Sequence, residues 1–94
     1  MPAVGLLSIE LHFPEARSLK DKRMILRSVK DQLRKLNVAL AEIEHQNLWQ
    51  RARLGVVAIA TTRDSVDRSF ETVVDKIERQ DPGTVIRTEL EWLM

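Results

Sequence analysis

The sequence has no cysteine, and its 94 residues include only three glycines, three prolines and 4% aromatic residues. Without cysteine the chain has no disulfide framework, no thiolate zinc or iron–sulfur site and no cysteine nucleophile. The three scattered glycines form no glycine-rich phosphate loop, and the two histidines do not stand at metal-ligand spacing. We therefore expect no cofactor, no metal site and no catalytic residue.

Long apolar runs are also absent. No stretch approaches the roughly 20 apolar residues that a membrane-spanning helix needs, and the first five residues lack the basic, apolar and cleavage regions of a signal peptide. We expect a cytoplasmic protein that does not contact a membrane. A chain of 94 residues has room for one hydrophobic core, so the sequence predicts a single domain over residues 1–94.

Hydrophobic periodicity predicts six elements in the order strand, helix, strand, strand, helix, strand. Alternating or unbroken apolar runs indicate the strands, and apolar stripes at spacings of three and four indicate the helices. The predicted elements are strands over Val4–Phe13, Val38–Gln46, Leu54–Thr61 and Thr84–Leu93, a helix capped by Ser18 and ending near Asn37, and a helix from Asp64 to Asp81. The predicted helix stripes are Ile25, Val29, Leu33 and Leu36, and Val66, Phe70, Val73, Val74 and Ile77.

This order predicts an α+β fold of the ferredoxin-like type, a βαββαβ chain with a four-stranded antiparallel sheet and two helices on one face. The last strand is expected to turn Ile86, Thr88, Leu90 and Trp92 to the core. The outer sheet face is expected to carry Ser8, Glu10, His12, Glu42, Glu44, Arg87, Glu89 and Glu91. Because this face lacks the aromatic residues on which RNA-recognition motifs stack bases, we do not expect RNA to bind there.

The net charge of +1 conceals a basic segment. Residues 15–36 contain eight basic and three acidic side chains. Five of the basic ones form a stripe at helical spacing, namely Lys20, Arg23, Arg27, Lys30 and Arg34. Such a stripe is suited to contact a phosphate backbone, or it is a solvated helix face in which Asp31 pairs with Arg27 and Lys35. Lys22 is expected to project toward the apolar side of the helix.

The connection His45–Arg53 breaks both periodicities. Trp49 stands there among polar residues, with Arg51 and Arg53 following. It either presents a stacking platform surrounded by amides and cations, or it folds back with Leu48 to close one end of the core while Arg51 pairs with a carboxylate such as Glu42 or Glu44.

Two runs carry a family resemblance. The runs are Ser18-Leu19-Lys20-Asp21-Lys22-Arg23 and, after Asn37-Val38, the segment from Glu42 to Gly55 (EIEHQNLWQRARLG). Together these segments resemble the YlxP-like family of small bacterial proteins. The resemblance covers nearly the whole chain and implies a ferredoxin-like fold. The family's biochemical role is uncharacterised, and its genes often lie near those for translation initiation and ribosome maturation.

The leading functional hypothesis is a non-catalytic module, linked to translation or ribosome maturation, that contacts RNA or the ribosome without reading a DNA sequence. The residues expected to make the contact are Lys20, Arg23, Arg27, Lys30, Arg34, Trp49, Arg51 and Arg53. A second hypothesis is a homodimer that pairs sheet faces or edge strands, with Leu40 and Val56 on the outer sheet. A third is a small-ligand or metal-binding domain that uses Glu10, His12, Glu42, Glu44 and His45.

Overall fold

A computed structural model describes all residues 1–94 and contains the six predicted elements. They are β1 (Ala3–His12), α1 (Leu19–Leu33), β2 (Ala39–Glu44), β3 (Arg51–Ala60), α2 (Arg63–Gln80) and β4 (Val85–Trp92). Each boundary lies within four residues of its predicted position, the largest difference being the end of α1 at Leu33 instead of near Asn37. Neither helix is both long enough and apolar enough to cross a membrane.

The four strands form one sheet in the order β2-β3-β1-β4, and every neighbouring pair is antiparallel. The two central strands pair along ten residues, from Ala3 opposite Ala60 to His12 opposite Arg51. Both helices pack their apolar stripes on the same face of this sheet and share its core. This arrangement confirms the predicted ferredoxin-like fold.

The helices begin at the polar residues that cap them. The Ser18 hydroxyl accepts a hydrogen bond from the Asp21 N–H at 3.0 Å and starts α1. Thr62 does the same for the Ser65 N–H at 3.2 Å and starts α2 one residue earlier than predicted. The segment Asp81-Pro82-Gly83 ends α2, and Gly83 adopts a φ of +84° that few other residues tolerate.

The buried stripe of α1 differs from the predicted one. Lys22, Leu26, Val29 and Leu33 are buried, while Ile25 is only half-buried and Leu36 lies beyond the end of the helix. The buried positions are spaced by four, three and four residues, which starts the stripe on a lysine that apolar periodicity does not count. The predicted stripe of α2 is confirmed at Val66, Phe70, Val73 and Ile77, and Val74 is half-buried.

A bulge in β4 changes the face of one predicted core residue. Glu10 pairs with Arg87, but the next residue, Leu11, pairs with Val85, so β4 carries one extra residue at Ile86. Val85 packs against the core, whereas Ile86 is 45% exposed and lies on the open sheet face near Glu10. The prediction that Ile86 faces the core is therefore wrong. A bulge changes which sheet face the side chains before it point to, and the alternating sequence pattern does not reveal it.

A second bulge lies in β2. Glu42 pairs with the core residue Leu54, so its side chain points to the helices, while Glu44 pairs with Arg53 on the open face. The prediction that Glu42 shares the outer sheet face with Glu44 is wrong, since two consecutive residues, Ile43 and Glu44, turn to the open side there.

The residues that suggested an apolar outer face also lie elsewhere. Leu40 pairs with Val56 on the helix side of the sheet, where Val56 is fully buried in the core. The placement of this pair on the outer sheet is therefore wrong. A different set of apolar side chains lies on the open face, which we call the open-face patch. It consists of Val4, Leu6, Ile43, Val57 and Ile59.

Candidate nucleic-acid interface

The side chain of Lys22 connects α1 to the segment that carries Trp49. Lys22 is 1% exposed, and its Nζ donates to the carbonyl oxygens of His45 at 2.7 Å and Arg51 at 3.1 Å. The same Nζ lies 3.2 Å from Glu42 Oε2 and 3.4 Å from the Gln46 carbonyl oxygen. The predicted direction of Lys22 is confirmed, but its ammonium group stays inside the fold because acceptors surround it there.

The segment from His45 to Gln50, which we call the Trp49 loop, is also held from its other end. The Gln50 side-chain amide donates to the carbonyl oxygens of Pro14 at 3.0 Å and Ala16 at 3.1 Å. The Gln50 carbonyl oxygen accepts from the Phe13 N–H at 2.8 Å. Fixed at both ends, the loop leaves Trp49 54% exposed, so the alternative in which Trp49 closes the core is wrong.

Four of the five predicted stripe residues line one shallow groove between α1 and the edge strand β2. We call it the basic groove; it has a volume of about 320 Å³ and is lined by Arg23, Arg27, Lys30 and Arg34, with Leu26, Asp31 and Glu42. Asp31 pairs only with Arg34, at 3.0 Å, and not with Arg27 or Lys35. Arg23, Arg27 and Lys30 form no ion pair, so most of the positive charge of the groove is not neutralised within the chain.

The basic groove and the Trp49 loop adjoin each other. Glu42 lines the groove and binds Lys22, whose other partners are carbonyl groups of the loop and of Arg51. Lys20 is exposed one turn before Arg23, at the start of the same helix, and does not line the groove. The structure therefore joins one wall of the basic groove, through Glu42 and Lys22, to the loop that bears the exposed Trp49.

The two arginines that follow the loop have different surroundings. β3 begins at Arg51, three residues before its predicted start, and Arg51 and Arg53 alternate with the buried Ala52. The guanidinium of Arg51 is exposed and forms no ion pair. Arg53 is mostly buried: its Nη1 donates to Glu10 Oε1 at 3.0 Å and its Nη2 lies 3.7 Å from Glu89. Arg51 is thus free to meet a ligand, whereas Arg53 is occupied within the chain.

Glu10 is a buried carboxylate that the sequence places on the wet sheet face. It is 7% exposed; its Oε1 also lies 3.2 Å from His45 Nε2, and its Oε2 is buried without a partner. Burial acts to raise the pKa of Glu10, but hydrogen bonds and positive charge from Arg53 and His45 outweigh it and hold the pKa below its ordinary value of 4.5. The hydrogen bond to Glu10 in turn raises the pKa of Arg53.

Only three of the five residues proposed for a metal or ligand site come together. Glu10, Glu44 and His45 offer ligand atoms within 4.8 Å of one another, whereas Glu42 is on the opposite sheet face and His12 lies outside the group. Arg53 already supplies a positive charge to the buried carboxylate. We therefore interpret this group as an ion-pair network that joins β1, β3 and the Trp49 loop.

Two of these contacts are not predicted from the sequence. The Glu10–Arg53 pair follows from the register, because the two residues are directly opposite on the central strands. The bonds of Lys22 to backbone carbonyl groups have no signal in the side-chain pattern.

Comparison with known proteins gives a family and a fold. The model of a protein family described as "Protein of unknown function (DUF503)" matches residues 4–90. The uncharacterized protein YlxP of Bacillus subtilis (strain 168) is 30% identical over 89 residues, which cover 92% of this chain and 97% of that protein. These matches confirm the resemblance found in the sequence.

Two solved structures are similar at low identity. The de novo designed protein Foldit4 aligns over 100% of this chain and 98% of its own, with a TM-score of 0.59 and 10% identity. A protein described as a dimeric ferredoxin-like protein from an uncultured marine organism covers 96% of this chain and 85% of its own, with a TM-score of 0.43 and 11% identity.

Replacement of Lys22 should destabilise the fold and loosen the Trp49 loop. Lys22→Met keeps most of the apolar stem but leaves the Glu42 carboxylate and the carbonyl oxygens of His45 and Arg51 without their donor. We expect a loss of about 2–5 kcal/mol in the free energy of unfolding, measured by urea denaturation. The matched control Lys20→Met removes an exposed ammonium group and should stay within about 0.5 kcal/mol of the wild type. Equal effects of the two substitutions would contradict the role of Lys22.

The pKa of Glu10 predicts how stability depends on pH. Because the pKa of Glu10 is lower in the folded than in the unfolded chain, its contribution is complete above the ordinary value of 4.5 and is lost as the pH falls through the lowered pKa. Glu10→Gln should lower stability at neutral pH and flatten the decline in acid, as measured by thermal unfolding between pH 7 and pH 3. Glu91→Gln, which removes an exposed carboxylate without an ion pair, should keep the wild-type profile; an unchanged profile in Glu10→Gln would refute the prediction.

Proposed function

The chain belongs to the DUF503 family of proteins of unknown function, and we propose that it is a non-catalytic cytoplasmic module that contacts RNA or a ribonucleoprotein such as the ribosome. The protein would then act in translation or ribosome maturation. One observation supports the proposal: the basic groove, which carries unpaired cations, is linked through Glu42 and Lys22 to the loop that bears the exposed Trp49. The contact residues of the proposal are Lys20, Arg23, Arg27, Lys30, Arg34, Trp49 and Arg51.

The charges of the basic groove suit a phosphate backbone. Arg23, Arg27 and Lys30 are not neutralised by acids of the chain, so a polyanion bound there would gain their charge without first breaking an ion pair. Each phosphate that such a cation neutralises releases condensed counterions, which makes binding favourable at low salt and weaker as salt rises. Arginine also forms bidentate hydrogen bonds with phosphate oxygens.

The exposed indole supports RNA over other polyanions. Trp49 stands in a hollow with Asn47, Gln50 and Arg51, which combines an aromatic face with amide groups and a cation. Unpaired bases stack on such aromatic side chains, and their edges accept or donate hydrogen bonds to amides. We therefore expect single-stranded or looped RNA to be bound in preference to a regular duplex.

Arg53 has a different part in this proposal from the one expected from the sequence. Because its guanidinium is held by Glu10 at 3.0 Å, it is not available to a phosphate group. Its effect on RNA is indirect: the network of Arg53, Glu10 and His45 keeps the start of β3, and with it Arg51, in position.

RNA binding can be tested with charge-matched variants. We expect Arg23→Ala/Arg27→Ala to weaken binding of ribosomal RNA fragments about tenfold or more at low salt and to reduce the salt dependence, since two phosphate contacts are lost. Fluorescence anisotropy at several salt concentrations measures both effects. The control Arg68→Ala/Arg79→Ala removes the same charge from α2 and should bind as the wild type does. No binding by the wild type at low salt, or an equal loss in the control, would overturn the proposal.

Trp49→Ala separates stacking from charge in the same experiment. Because Trp49 is mostly exposed, its removal should leave the free energy of unfolding nearly unchanged. We expect it to weaken binding to single-stranded RNA but to leave the salt dependence as it is. A reduced affinity with a reduced salt dependence would indicate instead that the loop has moved.

A second candidate function is formation of a homodimer through the open-face patch. Ile59 is 58% exposed and lies opposite the half-buried Val4, while Ile43 is 42% exposed and lies over Gly55 together with Leu6. When a second surface covers apolar side chains on one side of a sheet, association is favoured by about 25 cal/mol for each Å² of apolar surface removed from water. A two-fold dimer would bring the same patch of two chains together.

Light scattering across micromolar concentrations tests the dimer. We expect a dimer for the wild type and a monomer for Ile59→Lys, because the dimer contact would bury the added charge. Met24→Lys, which adds the same charge at an exposed position of α1, should remain dimeric. A wild-type monomer throughout this range would exclude the patch as a stable dimer contact.

A further inference from the structure

A groove between α2 and β4 lies at the edge of the sheet opposite the basic groove. We call it the acidic groove; it has a volume of about 600 Å³. Its floor and sides are formed by Leu7, Phe70, Val74, Thr88 and Leu90. The groove exists because α2 packs mainly over β1 and β3 and leaves the inner side of β4 partly uncovered, so that Leu90 is 45% exposed.

One side of this groove carries a row of carboxylates from α2, and no basic residue lines it. The row consists of Asp67, Glu71, Asp75 and Glu78. Asp75 pairs with Arg79 at 3.0 Å, and Glu78 accepts hydrogen bonds from the Gly83 and Val85 N–H groups at 2.8 and 2.9 Å. Asp67 and Glu71 form neither an ion pair nor a side-chain hydrogen bond, so their charge faces the groove uncompensated.

We propose that the acidic groove binds an amphipathic, basic α-helix of a partner protein. Asp67, Glu71 and Asp75 stand at successive turns of α2 and span about 12 Å. A helix that lies along α2 presents its own side chains at the same spacing, so lysine or arginine at every fourth position meets this row. Its apolar stripe covers Phe70, Val74 and Leu90, in the manner of helices bound in hydrophobic grooves.

The sign of the charge decides the class of partner. Phosphate backbones and anionic lipid surfaces are repelled by uncompensated carboxylates, whereas a basic peptide is attracted and steered to them. Burial of the apolar floor adds a hydrophobic contribution to the binding free energy, which a purely ionic contact lacks. Because the two grooves lie on opposite sheet edges, at β2 and at β4, the partner helix does not compete for the residues of the proposed RNA contact.

A labelled peptide tests the proposal directly. The probe is a 15-residue helix-forming peptide with leucine on one face and lysine at flanking i and i+4 positions, and binding is followed by fluorescence anisotropy. We expect saturable binding to the wild type and a loss of about tenfold or more with Asp67→Lys/Glu71→Lys, since attraction becomes repulsion. Glu15→Lys/Glu91→Lys makes the same change of charge at exposed positions outside the groove and should bind as the wild type does.

Two further arms separate the apolar contribution and the alternative occupant. The wild type should bind a peptide with serine in place of leucine more weakly than the leucine peptide, and Leu90→Asn should bind the leucine peptide more weakly than the wild type does. Equal binding of the two peptides by the wild type would show a diffuse ionic contact and overturn the proposal. A different outcome would assign the acidic groove to a second copy of this chain and overturn the proposal: the wild type binds no peptide but self-associates, and Asp67→Lys/Glu71→Lys abolishes that self-association. Leu90→Asn leaves the net charge unchanged and should keep wild-type RNA affinity, so failure of this proposal leaves that of the basic groove separately testable.

Discussion

The ammonium group of Lys22 is the contact on which the organisation of this molecule depends. A buried cation is tolerated only where acceptors replace its water, and here a carboxylate and backbone carbonyl groups do so. The acceptors come from the end of β2, from the Trp49 loop and from the first residue of β3. One side chain of α1 thereby fixes three successive segments, and the loop that bears the exposed Trp49 is held although it has few apolar contacts of its own.

The same contact links the two faces of the sheet. The carbonyl group of His45 is bound by Lys22 on the helix side, while its imidazole reaches Glu10 on the open side. His45 has a φ of +68°, a left-handed conformation that non-glycine residues adopt infrequently and that needs support from surrounding contacts. The chain turns sharply there, which allows one residue to take part in both the Lys22 contacts and the Glu10–Arg53 network.

Apolar periodicity predicts the regular part of this fold and fails where a single residue alters the pattern. The order of elements and the stripe of α2 follow from apolar spacing, because nearly every apolar residue of α2 is buried. The bulges in β2 and β4 each turn one additional residue to the open face, which moved Glu42 and Ile86 away from their predicted sides. Lys22 occupies a core position that an apolar pattern cannot detect, since its stabilising partners are backbone atoms distant in sequence.

The two edges of the sheet differ in charge because basic and acidic side chains are segregated, although the net charge of the chain is small. The contact between the helices is polar but contains no acid–base pair: Gln80 donates to the Ser28 hydroxyl at 2.9 Å, and Gln32, Lys76 and Arg79 line the hollow beside it. The cations of α1 and the carboxylates of α2 therefore do not neutralise each other, because each set lies on the outer flank of its helix. Charges of opposite sign separated by the width of the helix layer are screened from each other by salt, whereas each remains available to a partner in contact with it. A net charge of +1 is thus compatible with strong and opposite local fields at the two edges of one small sheet.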